Sequence, residues 1–334
     1  REVLAGYGIT ESAMGVPIRA SMEVAQVGTT SDGIPVFCST DALAAAGIVL
    51  VNRIKPHTDF FGTLGSGIMK MSVIGLGKHS GAAAMHVAAS RIGHEPAIRS
   101  MASLMIAQTP ILFGIAILEN EFHDTAELIV LRREEIETRE APLLERARAL
   151  MPRLPFDEID LLIIDRIGKN ISGAGLDPNV TGRWVDGYSS SLMRGDRPAP
   201  FIRRVFVRGL TPETHGNAIG IGLVDLTTSR LVNAMDHRAT YVNALTALTP
   251  QSAKIPIYFD TDREAIAAGL TSLAIADAAQ ARIVRILDTL SLAHLDVSEA
   301  FTDEVQAQRR LSIEGKAHTM QFDPDGNLFP LHPT

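Results

Sequence analysis

The fold of this chain is decided by residues 47–86, which read GIVLVNRIKPHTDFFGTLGSGIMKMSVIGLGKHSGAAAMH. The first five of them, residues 47–51, form an apolar run that is typical of a buried strand in a parallel sheet. Two histidines, several lysines and repeated glycines follow this strand directly. Because ligands in open α/β sheets bind in loops at the carboxyl ends of strands, this order indicates a functional site within the stretch.

The length of the chain, 334 residues, is too great for one ordinary core and predicts two domains. Strand and helix patterns alternate on both sides of a proline-containing linker at residues 152–155. We therefore predict an α/β fold of two α/β domains with mostly parallel sheets and an interdomain cleft. The first domain covers residues 1–153 and the second covers residues 154–319. The tail, residues 320–334, contains a hairpin-like turn, and a return of this tail to the first domain is one expectation.

Composition excludes several classes of protein. A hydrophobic content of 46% with 21% charged residues is typical of a globular enzyme. The net charge of −7 argues against a nucleic-acid partner, because phosphate backbones are bound by clustered Lys and Arg. The longest apolar runs, residues 42–51 and 110–118, are too short to cross a bilayer. Cys38 is the one cysteine, which excludes a disulfide framework and favours a cytoplasmic protein without a membrane partner.

Three residues of the central stretch are candidates for chemistry. His57 follows Pro56 at the end of a strand pattern, so the imidazole is expected to project into the loop region. Lys70 lies among apolar residues, where burial favours the neutral amine that covalent chemistry needs. His86 lies on an alanine-rich helix. The alternatives are a structural or solvated histidine at 57, a surface lysine at 70 and a core histidine at 86.

The glycines of the same stretch allow a second interpretation. Gly75, Gly77 and Gly81 follow a strand-like segment, Met71–Ile74, and partly match a dinucleotide-binding turn. Glu95 lies at about the distance of the acidic ribose contact, in a Gly-His-Glu-Pro segment interpreted as a loop. An NAD(P)-dependent dehydrogenase of a hydroxy acid is therefore an alternative, and a purely structural role for the glycines is another.

A second polar, glycine-rich loop follows the strand pattern at residues 159–164. We predict that it lines the opposite wall of the cleft and binds substrate through Lys169, Asp177, Asn179, Thr181 and Arg183. Arg183 suits a substrate carboxylate, because the planar guanidinium pairs with two oxygens at once. Asp177 and Asn179 suit a helix cap or a turn equally well.

The Pro56-His57 pair, Lys70 and His86 together resemble the nickel-pincer-nucleotide-dependent lactate racemase family. In that family the histidine of a Pro-His pair is the catalytic acid/base, and a later lysine bonds covalently to the cofactor. A histidine sixteen positions after that lysine binds nickel, as His86 follows Lys70. The second-domain segment 176–179, Leu-Asp-Pro-Asn, is similar to a Leu-Asp-x-Asn sequence of the family.

The resemblance implies an isomerase, a racemase or epimerase that inverts C2 of a small 2-hydroxy acid by hydride transfer. It implies a nickel-pincer nucleotide attached at Lys70, with Lys78 as the second choice, and nickel bound by His86. The cofactor-binding residues are then Lys70, Gly65, Ser66, Gly67 and Lys78. Cofactor-synthesis enzymes are the implied partners, and the protein is expected to be a monomer or homodimer.

Two departures from the family pattern lead to further expectations. The family has a substrate-binding Gln and Lys where this chain has Gly182 and Arg183, so we expect a different 2-hydroxy acid. A second catalytic histidine and phosphate-contacting residues of the family would lie upstream of Arg1, so we expect a further N-terminal segment. A non-catalytic nickel- or nucleotide-binding protein is the remaining alternative.

Overall fold

The computed structural model describes residues 1–58, 60, 62–184, 200–275 and 277–331. The chain divides into two compact units, of which unit 1 is Arg1–Asn120 with Asp124–Met151 and unit 2 is Glu121–His123 with Pro152–Thr334. Each unit combines helices with a sheet that contains parallel strands, which confirms the α/β fold class. Within the described ranges, no helix has both the length and the apolar character needed to span a membrane.

Unit 1 contains two small sheets and six helices. Its strands are β1 (Val24–Thr29), β2 (Pro35–Ser39), β3 (Ile48–Arg53), β4 (Ile111–Glu119) and β5 (Thr125–Arg132). Its helices are α1 (Glu2–Gly6), α2 (Glu11–Met14), α3 (Thr40–Leu43), α4 (Ile68–Ile92), α5 (His94–Gln108) and α6 (Ile136–Leu150), with a 3₁₀ turn at Arg133–Glu135 before α6.

Parallel pairing is less frequent in unit 1 than the sequence indicated. Strands β3 and β4 are parallel, whereas β1 with β2 and β4 with β5 are antiparallel. The reason is the length of the connections, because a turn of a few residues can join antiparallel neighbours only. Strand β5 returns along β4 after the short connection at residues 120–124.

The core of unit 1 is built on the two long helices. In α5 the buried residues Ala97, Ile98, Met101, Ala102 and Met105 recur at helical spacing and form one face. The first turn of α4 buries Ile68 and Met69 completely in the same core. This burial fixes the start of α4, which directly follows the loop that carries His57.

Unit 2 contains one six-stranded sheet in the order β11-β10-β6-β7-β8-β9. The strands are β6 (Glu158–Ile164), β7 (Phe201–Val207), β8 (Leu226–Thr228), β9 (Ile257–Phe259), β10 (Ile283–Ile286) and β11 (Asp296–Val297). All neighbouring strands are parallel except β11, which runs antiparallel to β10. Residues 161–164 of the central strand β6 are fully buried, as the continuous apolar pattern predicted.

The helices of unit 2 are short. They are α7 (Pro178–Thr181), α8 (Ser229–Asn233), α9 (His237–Thr246), α10 (Asp262–Thr271) and α11 (Thr302–Ala307), with 3₁₀ turns at Pro212–Thr214, Ile221–Leu223, Pro250–Ala253, Ala278–Gln280 and Glu299–Phe301. Residues 229–246 are divided between two helices, α8 and α9. The division has a local cause, since the Asp236 side chain accepts a hydrogen bond from the Ala239 amide and starts a new helix there.

The described part of the tail packs within unit 2. Phe322 and Leu328 form an antiparallel bridge, as the turn between them predicted. Arg208 donates to the Leu328 carbonyl oxygen, and Arg285 donates to the Phe329 carbonyl oxygen at 2.6 Å. Buried arginines of unit 2 thus bind the backbone of the tail, and its return to the first domain stays a prediction.

Asp262 connects the tail to this arginine cluster. Its side chain is fully buried and accepts from the Arg208 Nε at 2.8 Å and from the Leu328 amide at 2.9 Å. Replacing Asp262 with Ala removes the acceptor of both buried donors while Arg208 keeps its ion pair with Asp165, so we expect the free energy of unfolding to fall by about 2–4 kcal/mol. Urea unfolding of this variant is compared with that of Asp260→Ala, an exposed neighbour for which a change of at most about 0.5 kcal/mol is expected.

Candidate functional site

The loop between β3 and α4 brings His57 to the start of α4. Lys55 and Ser66 exchange two backbone hydrogen bonds, Lys55 amide to Ser66 carbonyl at 3.1 Å and the reverse at 2.8 Å. Gly65 is required at this closure, because a Cβ there would lie 2.5 Å from the Lys55 carbonyl oxygen. The closed loop places His57 beside the first turn of α4, from which Lys70 projects.

The amine of Lys70 lies against the imidazole of His57. The distance from Lys70 Nζ to His57 Nε2 is 2.6 Å, and the Ser66 hydroxyl oxygen lies 3.2 Å from the same Nζ. Because an ammonium can only donate, Nε2 is the acceptor when Lys70 is charged, and the proton of the neutral ring is then on Nδ1. The sequence-predicted pair is thus in direct contact, with an amine and a base that can exchange a proton.

Burial keeps the imidazole of His57 neutral. The ring is 8% exposed, and this burial, followed by the nearby Lys70, His94 and His86, lowers the pKa of His57 to about 2. Lys70, His94 and His86 lower this pKa through their charges, which act at short range. His86 therefore belongs to the same cluster as His57 and Lys70. Loss of the Lys70 charge would remove one cause and raise the pKa of His57, which would make it a stronger base.

Two aromatic neighbours complete the cluster. The Phe60 ring stacks on His57 with 4.3 Å between ring centroids and on His94 with 4.7 Å. The rings of His57 and His94 are 6.2 Å apart. The sequence analysis missed His94, because it interpreted the Gly-His-Glu-Pro segment as a loop, whereas His94 is the first residue of α5.

The acidic residue next to His94 does not have the nucleotide role considered for it. Glu95 accepts from the Thr63 amide at 2.8 Å and pairs with Arg99 at 2.8 Å. These bonds tie the loop after Phe60 to α5. Glu95 therefore holds the site loop in place.

Helix α4 is interrupted at Lys78, whose φ of 54° and ψ of −148° are not helical. The chain turns there, so that a Cβ on Gly81 would lie 2.6 Å from the Val73 carbonyl oxygen, and one on Gly77 would lie 3.0 Å from that of Phe37. Gly77 and Gly81 thus permit close backbone packing. Residues 71–74 are helical, which contradicts the strand expected there. The strand that a dinucleotide-binding turn needs before its glycines is therefore not formed, and the dehydrogenase interpretation is wrong on this point.

The predicted substrate loop of unit 2 makes many internal bonds. Asp177 caps α7 by accepting from the Asn179 amide at 2.9 Å, and the Thr181 hydroxyl donates to the Asp177 carbonyl at 3.1 Å. Lys169 Nζ donates to the Gly173 carbonyl at 2.9 Å. The capping alternative is thus observed for Asp177 and Asn179. Substrate binding by this loop stays a prediction.

Arg183 is engaged within unit 2. Its guanidinium pairs with the Asp225 carboxylate at 2.8 Å and donates to the Ile202 carbonyl at 3.0 Å. The side chain is 8% exposed. Binding of a substrate carboxylate by Arg183 would require the pair with Asp225 to open.

Glu140, on α6, is a site-adjacent residue that the sequence analysis missed. Its carboxyl is fully buried beneath the first turn of α4 and accepts from the Met69 amide at 2.8 Å. Burial raises the pKa of Glu140 to about 7, although hydrogen bonds from the Met69 and Ile68 amides and the charge of Arg99 act in the opposite direction. In sequence, Glu140 lies in a charged helix whose exposed glutamates look the same.

The raised pKa of Glu140 predicts how the free energy of unfolding depends on pH. A folded pKa of about 7 against 4.5 unfolded means that stability is greatest below 4.5 and is lost as the pH rises through 7. The loss is about 3 kcal/mol. We therefore expect the difference in unfolding free energy between the wild type and Glu140→Gln to change by this amount across the pH range. Denaturant unfolding of both proteins across this range measures it. The opposite effect of His57 cancels in the difference, and a pH-independent difference would contradict the prediction.

Metal-binding groups are sparse among the described residues. No three His, Cys, Asp or Glu side chains in these ranges are grouped so that they could hold a metal ion. His86 is partly exposed on α4 and can offer one imidazole nitrogen. A nickel ion at His86 would therefore need its other donors from a cofactor, and nickel accepts imidazole readily.

Comparisons with known proteins find solved structures that are similar to this chain. No protein-family model matches the chain, and no curated protein matches it. The solved structure of the lactate racemase apoprotein from Thermoanaerobacterium thermosaccharolyticum is similar, with a TM-score of 0.47 and 11% sequence identity. The similarity covers 87% of this chain and 74% of that chain. Function is therefore inferred from the site itself.

Proposed function

We propose that the chain is a racemase or epimerase that inverts C2 of a 2-hydroxy acid, with a nickel-pincer nucleotide tethered at Lys70. The observation that carries this proposal is the 2.6 Å contact between the Lys70 amine and the His57 imidazole. His86 lies close enough to lower the pKa of His57, so a tether, a base and a metal ligand belong to one cluster. Their residue types and order match the motif of the lactate racemase family.

The residues present fit the proposed cofactor. A half-buried lysine in contact with a neutral imidazole is suited to covalent attachment, because partial burial favours the neutral amine that acts as the nucleophile. His86 would hold the metal, and Gly65, Ser66, Gly67 and Lys78 would surround the tether. When bound, the group would supply a hydride acceptor, which no side chain of this cluster provides.

The protein side chains would then handle the proton and the position of the substrate. His57 would take the hydroxyl proton of the substrate at Nε2, the atom that Lys70 now contacts, and later return it. Phe60, stacked on His57, would hold the ring in this orientation and exclude water from one face. Inversion requires acid/base help on the second face of the planar keto acid as well. Substrate contacts by Lys169, Asp177, Asn179, Thr181 and Arg183 are part of this proposal.

The competing function is a nickel- or nucleotide-binding protein that does not turn over a substrate. Both functions predict a Lys-linked adduct after co-expression with cofactor-synthesis enzymes, but the enzyme alone converts one enantiomer of a 2-hydroxy acid into the other. We therefore test intact mass, nickel content and chiral conversion on the same preparation. An adduct without conversion of any 2-hydroxy acid tried would favour the binding protein, and an unmodified, metal-free chain would overturn both.

A further inference from the structure

The buried carboxyl of Glu140 lies directly under the turn that carries Lys70. One oxygen, Oε2, accepts from the Met69 amide at 2.8 Å, and the Ile68 amide also donates to this carboxyl. The other oxygen, Oε1, has no hydrogen-bond partner among the residues that the structure describes. A buried carboxyl with one unused oxygen is costly, so its retention indicates a task.

The space around this carboxyl is closely fitted. A Cβ on Gly67 would lie 2.2 Å from Oε1 of Glu140 and 2.9 Å from the Ile54 side chain. A larger residue at position 67 would therefore displace the carboxyl. The glycine and the glutamate are 73 positions apart in sequence, and each restricts the place of the other.

The start of α4 lacks a cap from its own segment. Its N-cap residue is Gly67, and no side chain of that residue can accept from the first amides of the helix. Such amides need an acceptor, and the positive end of the helix dipole favours a carboxylate. Glu140 supplies this acceptor from α6. Since Lys70 is the third residue of α4, its backbone lies in the turn that Glu140 holds.

We propose that Glu140 is a positioning residue whose carboxyl caps the first turn of α4 and thereby keeps the Lys70 amine against His57. This inference deepens the proposed function, in which Lys70 is the tether, and rests on it for its biological meaning. Its test uses the chain without cofactor, so the two can fail separately. If Glu140 acts in this way, the Lys70 amine reacts faster than it would in a frayed turn, because its half-buried position in the ordered turn favours the neutral amine.

The experiment is reductive methylation with formaldehyde and cyanoborohydride, read by peptide mass spectrometry as the rate at Lys70 relative to exposed Lys254. We expect Glu140→Ala to lower this ratio roughly tenfold, on the scale of a lost helix cap. Glu140→Gln retains a carbonyl oxygen for the Met69 amide and is expected to keep most of the ratio. Gly67→Ala, which displaces the carboxyl, is expected to lower it as Glu140→Ala does.

The matched control is Met105→Ala, which opens a cavity in the core of unit 1 and leaves the cap intact. The methylation ratio of Met105→Ala should equal that of the wild type, although its loss of stability is similar to that of Glu140→Ala. An equal fall in Met105→Ala and Glu140→Ala would reduce Glu140 to a stability role and overturn the proposal. An unchanged ratio in Glu140→Ala would do the same. If Glu140→Ala does not fold, the same methylation ratio is compared between Gly67→Ala and Glu140→Gln. A lower ratio in Gly67→Ala supports the proposal, and equal ratios overturn it.

Discussion

Replacing Lys70 with alanine is expected to abolish the covalent adduct and, with it, all conversion between enantiomers. The variant removes the amine that lies 2.6 Å from His57 Nε2. The expected loss of activity is more than roughly 10⁴-fold, beyond the range of a missing acid or base, because no hydride acceptor would remain in the site. Intact mass and a chiral assay on protein co-expressed with cofactor-synthesis enzymes measure both effects.

Two further variants make the Lys70 result specific. Lys70→Arg keeps the positive charge but lacks a nucleophilic amine, so it should also carry no adduct. Lys254→Arg, on the exposed surface of unit 2, should retain the adduct and the activity of the wild type. An adduct that persists in Lys70→Ala and maps to Lys78 would show that the tether had been assigned to the wrong lysine.

Replacing His57 with alanine is expected to reduce the conversion between enantiomers while the cofactor still attaches to Lys70. The variant removes the proton acceptor, so conversion should fall by roughly 10²–10⁴, the usual contribution of general acid/base catalysis. The adduct at Lys70 should still form, because the amine itself is retained. The same preparation is analysed by the chiral assay and by intact mass. Equal loss of adduct and activity would mean that His57 serves attachment and not turnover.

Elements with a clear apolar period were predictable from sequence. The apolar run at residues 110–118 and the strand pattern at residues 159–164 coincide with β4 and β6, because their side-chain pattern reports burial directly. The contact between His57 and Lys70 was also within reach, since both lie in one short, glycine-punctuated stretch. These features depend on residues that are close to one another in the chain, and a sequence pattern describes such residues.

Features that depend on distant partners were not predictable in the same way. Residues 71–74 form a short apolar run that fits a strand or a buried helix equally, and the carboxyl that accepts from the first turn of this helix is on Glu140, far away in sequence. The pairing of Arg183 with Asp225 was not anticipated, because the two residues are 42 positions apart. His94 joins the site through stacking on Phe60, a contact that neither neighbouring sequence signals.

The break at Lys78 has a geometric consequence for Lys70 and His86, the proposed tether and metal ligand. Sixteen residues of unbroken α-helix span about 24 Å, a length that would keep an amine and an imidazole from sharing one small guest. The reversal at Lys78, with Gly81 packed on the Val73 backbone, folds that length back on itself. The distance between the side chains of residues 70 and 86 therefore depends on the backbone dihedral angles of Lys78 more than on the number of residues between them.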